Sequence, residues 1–276
     1  VEILLQERMP ETAIITKERK EKIEKLKYKE YDNYALKVIK NIDTEKVNAN
    51  VISNNAEYTI VTDDKGNSFS KYRDIYVNKY KITSELKQGV NFYIRDTQNN
   101  KIYQTLYNNE KRDEYEVHFA PDKSEFIKIC GDVKIVNSIT IATNEPVEIR
   151  RLELKNIGKT EKKFDIISVF EPMICRKEQE YAHPAFNNLF LKFDFDEQTK
   201  SIIVKRNEKE DKEAEMYLGV HLLSGISNIE YEINKEKFIG RANFGIPNGV
   251  LKDYNFSNII GLVTDPIIAL KTNANI

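Results

Sequence analysis

Residues that build metal and redox sites are scarce in this sequence. Its 276 residues include only three histidines, His118, His183 and His221, and only two cysteines, Cys130 and Cys175. The histidines have no H-E-x-x-H spacing and the cysteines have no C-x-x-C spacing, so the common zinc and redox motifs are missing. Both cysteines lie in apolar segments, which favours buried free thiols. We therefore expect neither a metal nor another cofactor.

Three further absences narrow the classes of function. Lys and Arg total 43 against 44 Asp and Glu, and this balance does not favour a nucleic-acid-binding surface. No apolar run approaches the ~20 residues that span a bilayer, so we expect no membrane contact by this segment. The G-x-S-x-G, G-x-G-x-x-G and P-loop patterns are also missing, which leaves nucleophilic-serine and nucleotide chemistry without support. No signal peptide is visible, and together with the free thiols this predicts a cytoplasmic protein.

The first 50 residues follow a different pattern from the rest. Residues 16–40 are rich in helix formers, contain no Gly or Pro, and place apolar residues at spacings of three to five. This pattern predicts one amphipathic helix within a linker formed by residues 1–50. The chain begins with Val in the middle of a pattern, so we expect that it is a segment of a longer polypeptide.

From residue 51 onward, short segments of alternating apolar and polar residues are separated by Gly, Asn and Asp. This pattern predicts an all-β domain over residues 51–276, built as a large antiparallel two-sheet sandwich. The predicted strands are 58–62, 74–82, 91–95, 101–107, 114–119, 125–129, 134–142, 148–155, 163–170, 189–195, 201–205, 216–222 and 229–233.

Residues 181–190, YAHPAFNNLF, lie between two predicted strands and resemble the HPAF-type signature of glycoside hydrolase family 94. Residues 4–10, LLQERMP, resemble a junction in the cyclic β-1,2-glucan synthases of that family, just before their phosphorylase-like half. The chain therefore resembles the amino-terminal β-sandwich domain of family 94. Further pieces that resemble the family in the same order are 53–58, 66–70, 73–74, 92–96, 115–119, 147–152, 154–156, 171, 238–241, 261 and 265–267.

The resemblance implies a galactose-mutarotase-like supersandwich without catalytic residues of its own. In the family, the catalytic carboxylate belongs to a separate helical barrel, and we expect this chain to end before such a barrel begins. The fragment itself is then expected to be inactive. The parent would be a phosphorylase or glycosyltransferase acting on a β-glucan, most simply a β-1,2-linked one, with phosphate bound by the missing barrel. The expected partners are that barrel, the glucan and, in one alternative, a second copy of the chain.

Seven polar residues within the matching pieces are candidate contacts to glucan or to the neighbouring domain: Arg73, Asp74, Arg95, Asp96, Glu171, His183 and Arg241. A structural role is the alternative for each. Because adjacent strand residues point to opposite faces, an inward arginine would need a partner such as Glu171. His183 could fix its loop by a hydrogen bond, and we expect Pro184 and Phe186 to be packed beside it.

An autonomous carbohydrate-binding module is the alternative function. Such modules commonly stack sugars on flat aromatic rings, and Trp, the most common of these, is absent here. The 15 Tyr and 13 Phe residues could take its place, although many of them are needed for the core. Titration of the isolated chain with a glucan separates the two functions.

Overall fold

The computed structural model describes residues 27–31, 34–40, 42, 47–79, 89–108, 113–207, 215–223, 229–241, 243 and 245–276. Within these residues the protein is mostly β and every strand pair is antiparallel, which confirms the predicted all-β class. The strands predicted from residue 51 onward are present, most of them with small differences at their ends. The strand predicted over 101–107 is limited to Ile102–Gln104, and the one predicted over 74–82 is observed as Ile75–Asn78, with residues 80–82 outside the described residues. No helix among the described residues is long and apolar enough to cross a membrane.

Twenty strands and three short helices follow one another along the described chain. They are β1 (Lys27–Tyr31), β2 (Tyr34–Ile39), β3 (Ala49–Ser53), β4 (Tyr58–Asp63), β5 (Ser68–Tyr72), β6 (Ile75–Asn78), β7 (Asn91–Asp96), β8 (Ile102–Gln104), β9 (Glu114–Phe119), β10 (Lys123–Cys130), β11 (Val133–Ile141), β12 (Glu148–Asn156), β13 (Lys163–Phe170), β14 (Pro172–Arg176), α1 (Lys177–Ala182), α2 (Pro184–Asn188), β15 (Leu191–Asp196), β16 (Ser201–Arg206), β17 (Met216–His221), β18 (Glu230–Asn234), α3 (Lys235–Ile239), β19 (Gly261–Leu262) and β20 (Pro266–Asn275).

The strands form four hydrogen-bonded sheets. A six-stranded sheet has the order β1-β2-β9-β10-β11-β12, and a four-stranded sheet has the order β17-β16-β15-β19. Of the two five-stranded sheets, one has the order β18-β20-β13-β7-β8 and is called the β13 sheet; the other has the order β14-β6-β5-β4-β3 and is called the β5 sheet.

Apolar side chains at alternate strand positions form the layers between these sheets. Ile60 of the β5 sheet packs with Val117 and Phe126 of the six-stranded sheet, and all three are buried. The β13 sheet contributes to three further clusters, which include residues of the six-stranded sheet, residues of the four-stranded sheet, and Phe238 of α3. The β13 sheet therefore lies at the centre of the hydrophobic core.

The helix predicted over residues 16–40 is wrong where the structure describes that segment. Residues 27–31 and 34–39 form the hairpin β1–β2, and β2 pairs with β9. Leu36 and Val38 are buried on one side of β2, so tertiary packing outweighs the helix propensity of the neighbouring Lys and Glu residues. The remainder of the predicted helix and the junction motif at residues 4–10 lie outside the described residues. The division into a linker and a domain at residue 50 stays a prediction.

Candidate functional site at the α1–α2 end of the sandwich

The HPAF segment forms two short helices where the sequence predicted a loop. β14 is followed directly by α1, and His183 ends α1 and begins α2. Pro184 occupies the first turn of α2, where its missing N–H removes no helical hydrogen bond. The residues of α1 are mostly good helix formers, which explains the local structure. The two helices are held at the end of the β5 sheet because β14 pairs with β6.

Apolar side chains of this segment are exposed. Tyr181 and Leu189 lie at the surface, and Phe186 is 51% exposed although its ring meets the Phe190 ring edge-on at 5.0 Å between centroids. Pro184 is exposed too, so neither side chain is buried, although Phe186 does pack against Phe190. A single exposed apolar side chain is ordinary, but several within one short segment are typical of a surface that another molecule covers. We call the exposed side chains Tyr181, His183, Phe186 and Leu189 the α1–α2 surface.

A buried ion pair fixes these helices to the sandwich. Lys79 Nζ, just after β6, lies 3.6 Å from Glu180 Oε1 of α1, and Glu180 is buried. The same ammonium donates a hydrogen bond of 3.1 Å to Asn188 Oδ1 at the end of α2. Asn188 Nδ2 in turn donates to the carbonyl oxygen of Thr264 at 3.2 Å. Pairing offsets the desolvation of these charged groups and gives α1 and α2 one defined position.

Arg206 supports α2 from the four-stranded sheet. Its Nη2 donates to Asn187 Oδ1 at 3.3 Å, and Asn187 Nδ2 donates to the carbonyl oxygen of Gln179 at 2.5 Å. The Arg206 guanidinium carbon also lies 5.4 Å from the centroid of the Phe190 ring. Arg206 and Asn187 are both buried. The cation–π contact and the hydrogen bond therefore hold the buried side of α2 in a place that solvent does not reach.

Glu171, one of the predicted site residues, is buried and pairs with a lysine. Its Oε2 lies 3.2 Å from Lys235 Nζ, and Lys235 Nζ lies 3.8 Å from Asp265 Oδ2. The backbone N–H of Lys235 also donates to the carbonyl oxygen of Asp265 at 3.0 Å. The sequence suggested an inward arginine as the partner of Glu171, and the structure replaces it with Lys235.

A polar groove of about 250 Å³ lies beside this ion pair. Arg241, another predicted site residue, is exposed on its wall, next to Gly240 at the end of α3. Gly240 has a φ of 94°, and a Cβ there would lie 2.3 Å from Asn248 Nδ2, so the turn that presents Arg241 requires glycine. The residues that line the groove are Asn234, Lys235, Glu236, Gly240, Arg241, Thr264 and Asp265.

Arg73 and Asp74 form the turn between β5 and β6, although the sequence suggested strand positions for both. Both are exposed, and Arg73 has a positive φ of 55°. The Arg73 guanidinium pairs with Glu57. Asp74 Oδ2 lies 2.7 Å from Nε of Arg176, the residue before α1. Asp74 therefore adjoins the α1–α2 segment through an exposed ion pair.

Arg95 and Asp96 lie elsewhere. Both are buried in β7, where Arg95 pairs across the strand with Asp165. Asp96 accepts hydrogen bonds of 2.9 Å from the backbone N–H of Gln98 and from the side chain of Asn99, which fixes the turn after β7. Asp165 lies near the start of β13 and Glu171 follows its end, a separation of roughly 20 Å at 3.3 Å per residue. Arg95 and Asp96 are thus placed away from the groove.

His183 is exposed, and its ring makes no hydrogen bond within the described residues, contrary to the prediction. Its backbone, however, accepts from Asn187 N and donates to Gln179 O. Sequence reasoning missed Lys79, Glu180, Asn188 and Lys235, which organise this end of the molecule. Their partners lie far away in sequence, and only Arg241 and the family-like residues 238–241 and 265–267 pointed towards the groove.

Several of the family-like sequence pieces meet in one inter-sheet network. Glu148 Oε2 accepts hydrogen bonds from Tyr58 Oη at 3.1 Å and from Ser70 Oγ at 2.5 Å. The guanidinium of Arg150 pairs with Glu148 and donates to Ser68 Oγ at 2.9 Å. Burial, with the nearby Glu148 carboxylate second, raises the pKa of Tyr58 and keeps its hydroxyl protonated. The network joins β12 to the β5 sheet and has a structural role.

The groove combines cations and carboxylates, a mixture that can hydrogen-bond neutral polar ligands or the polar rim of another domain. Glu171 and Asp265 both lie beside the Lys235 ammonium. Among the residues that the structure describes, no group of three or more His, Cys, Asp or Glu side chains is placed to hold a metal ion. Burial raises the pKa of the Cys130 thiol to about 12, so this thiol remains protonated at neutral pH.

Comparison with known proteins agrees with the motifs. The model of the glycosyl hydrolase 94 supersandwich domain matches residues 32–276. Over 229 residues the chain is 22% identical to the cyclic beta-(1,2)-glucan synthase NdvB of Rhizobium meliloti (strain 1021). That alignment covers 80% of this chain and only 8% of the relative, so the chain corresponds to a small part of that protein. The chain belongs to the glycosyl hydrolase 94 supersandwich-domain family.

Proposed function

We propose that this chain is the non-catalytic supersandwich domain of a larger family-94-type enzyme that acts on a β-glucan, either a phosphorylase or a cyclic β-1,2-glucan synthase. The observation that carries the proposal is the α1–α2 surface, whose exposed apolar side chains belong to helices that the buried Lys79–Glu180 ion pair holds in place. A rigid base beneath exposed apolar groups is the arrangement expected of a docking surface. Its occupant is the helical-barrel catalytic domain of the same polypeptide.

In this arrangement the groove beside Lys235 lies next to the domain interface. The hydrogen bond from Asn188 to the carbonyl of Thr264 joins α2 to one wall of the groove. Arg241 and Glu236 offer a donor and an acceptor on the groove, as sugar hydroxyls require. We propose that this groove supports one side of a glucan site whose reacting groups come from the barrel, with the substrate most simply a β-1,2-linked glucan.

The first test asks whether the chain has activity alone. The purified 276-residue chain is incubated with β-1,2-linked glucooligosaccharides and inorganic phosphate, and sugar phosphate and free glucose are measured. We expect neither product above the level of a blank. Robust turnover would contradict a non-catalytic role.

The second test concerns the docking surface. An antibody against this chain detects the native polypeptide, whose mass should greatly exceed the 32.2 kDa of the chain. In that polypeptide, Phe186→Ser is expected to lower turnover by about tenfold or more, equivalent to about 1.4 kcal/mol. Tyr217→Ser, at an exposed aromatic of the four-stranded sheet, is the matched control and should retain activity. A native mass near 32 kDa, or equal activity of both variants, would reject the docking role.

The buried thiols bear on where the protein works. Cys130 and Cys175 are both buried and neither forms a disulfide within the described residues, which is compatible with a reducing compartment. We propose the cytoplasm. A cell-fractionation experiment that finds the native polypeptide outside the cytoplasm would reject this location.

A further inference from the structure

The edge of the six-stranded sheet formed by β12 is unusually long and regular. β12 has nine residues, and among the described strands its only neighbour is β11. The other strands at sheet edges have two to six residues. The pairing of β12 with β11 runs without a register shift from Val133↔Asn156 to Ile141↔Glu148. Proteins usually protect such an edge by shortening it, by Pro or a bulge, or by charged side chains; β12 is neither short nor interrupted, and charged side chains are its only such feature.

The backbone groups at this edge point in a direction that the flanking hydrogen bonds define. Before β12, Ala142 N donates to Val147 O at 2.9 Å, and after it Ile157 N donates to Asp132 O at 2.8 Å. In an antiparallel ladder, every second residue bonds the same neighbour. The odd-numbered residues of β12 therefore bond to β11, and the even-numbered ones direct N–H and C=O towards the open edge. These even-numbered residues are Glu148, Arg150, Leu152, Leu154 and Asn156.

The odd-numbered side chains form the exposed face of the strand. Arg151 and Glu153 stand at its centre and lie 3.1 Å apart within one chain. Ile149 and Lys155 flank them, and all four are exposed. The central residue, Leu152, has the positive Arg151 on one side and the negative Glu153 on the other. The charges of the strand therefore complement those of an identical strand that runs in the opposite direction.

We propose that β12 pairs antiparallel with β12 of a second copy of this chain, with Leu152 opposite Leu152, so that the two six-stranded sheets become continuous. In this register Glu148 lies opposite Asn156 and Arg150 lies opposite Leu154. All of these are even-numbered residues, so the free N–H and C=O groups of each copy meet those of the other. The inference rests on β12 alone and is independent of the proposed function.

Charge selects this register over its neighbours. With Leu152 at the centre, each Arg151 faces Glu153 of the other copy, and like charges are never directly opposite. A shift by two residues places either Arg151 opposite Arg151 or Glu153 opposite Glu153, which is unfavourable. A shift by one residue sets free backbone groups against groups already bonded to β11. Exposed ion pairs contribute little energy, so here they determine the register, while backbone hydrogen bonds hold the strands together.

Charge reversal tests both the surface and the register. Sedimentation of the purified chain over a range of concentrations should show a dimer. Glu153→Arg and Arg151→Glu each place like charges opposite one another, and each should weaken the dimer by at least about tenfold. The combined variant Arg151→Glu/Glu153→Arg restores opposite charges and should restore the dimer. Lys192→Glu/Asp194→Lys, a similar exposed pair on β15, is the matched control and should leave the dimer intact.

A second variant removes a backbone donor in place of a charge. Leu152→Pro deletes an N–H that points away from β11, and proline is tolerated at such an edge position. The variant should retain the circular dichroism of the parent and sediment as a monomer. A monomeric parent chain, a dimer that persists in both Leu152→Pro and Glu153→Arg, or a charge-swapped variant that remains monomeric would each overturn the proposal.

Discussion

Phe238 fills a fully buried position against Gly249, and only hydrogen fits between the ring and the backbone there. A Cβ on Gly249 would lie 2.1 Å from Cδ2 of the Phe238 ring. The neighbours, Val250 and Phe256, belong to the same buried cluster, so the ring has little room to move. The first of the family-like residues 238–241 is thus packed against a glycine eleven residues further along.

Gly249→Ala should destabilise the chain by about 1–3 kcal/mol, because the added methyl group overpacks the core. Urea unfolding measures the change. Gly219→Ala on β17 is the matched control, since a Cβ there meets nothing within 4 Å. The control should change the free energy of unfolding by no more than about 0.5 kcal/mol. Equal stability of the two variants would contradict the close contact with Phe238.

The pH dependence of stability should reflect a carboxylate–imidazole pair on the six-stranded sheet. Glu125 Oε2 lies 3.7 Å from His118 Nδ1. The interaction with His118, and a weaker one with Lys123, lower the pKa of Glu125 to about 2. The carboxylates of Glu125 and Glu116 together raise the pKa of His118 above its usual 6.5, against a smaller opposing effect of burial. Each group is therefore more often charged in the folded chain than in the unfolded one.

The sign follows from linkage. The contribution of Glu125 is complete above the unfolded pKa near 4.5 and is lost as the pH falls towards 2. The contribution of His118 is complete below 6.5 and is lost as the pH rises through its raised folded value. His118→Gln should flatten the decline in stability on the alkaline side, measured as the urea midpoint against pH. A decline that survives His118→Gln would contradict the assignment.

At the scale of elements, the strands of the sandwich were predictable and the first hairpin was not. β10 and β11 alternate buried and half-buried residues almost without exception, which is the period-2 pattern visible in the sequence. β1 and β2 are rich in Lys, Glu and Tyr, and local propensity there resembles a helix. What joins this hairpin to the sheet is the pairing of β2 with β9, about 80 residues away, and local sequence does not encode that contact.

The network that joins β12 to the β5 sheet should contribute measurably to stability. Arg150 is 7% exposed and Glu148 is 14% exposed at their side chains, so removal of either one leaves a poorly solvated charge. Arg150→Met should cost about 3 kcal/mol in urea unfolding. Lys192→Met on β15 is the control, because the Lys192 side chain is 50% exposed and lies outside β12, and it should cost no more than about 0.5 kcal/mol.

A double substitution separates pairing from packing. Glu148→Leu combined with Arg150→Met removes both charges, so its cost should be clearly smaller than the sum of the two single costs. Strict additivity would indicate that the two side chains stabilise the protein independently, contrary to the shared network.

For the whole molecule, sequence motifs predicted the family, and long-range contacts decided the geometry of the candidate site. Lys79 and Asn188, which meet beneath α2, are 109 residues apart, and Glu171 and Lys235 are 64 residues apart. A single sequence contains no signal for such pairs. Arg95 was a candidate for the same reason. Its motif resembled the family, but the sequence did not show that its partner is Asp165, which lies at the end of β13 away from Glu171 and the groove.

The groove by itself should bind glucan weakly. Its volume of about 250 Å³ is below the range of about 300–1,000 Å³ typical of ligand pockets, so it can cover only part of a sugar chain. We expect a Kd for β-1,2-linked glucooligosaccharides no tighter than about 1 mM, or about −4 kcal/mol. Calorimetry with the purified chain measures it, and Arg241→Ala should weaken the binding further. Lys200→Ala, at an exposed lysine of the turn before β16, is the control. Micromolar affinity would instead favour an autonomous carbohydrate-binding module, because one wall of a divided site cannot supply the contacts that such affinity requires.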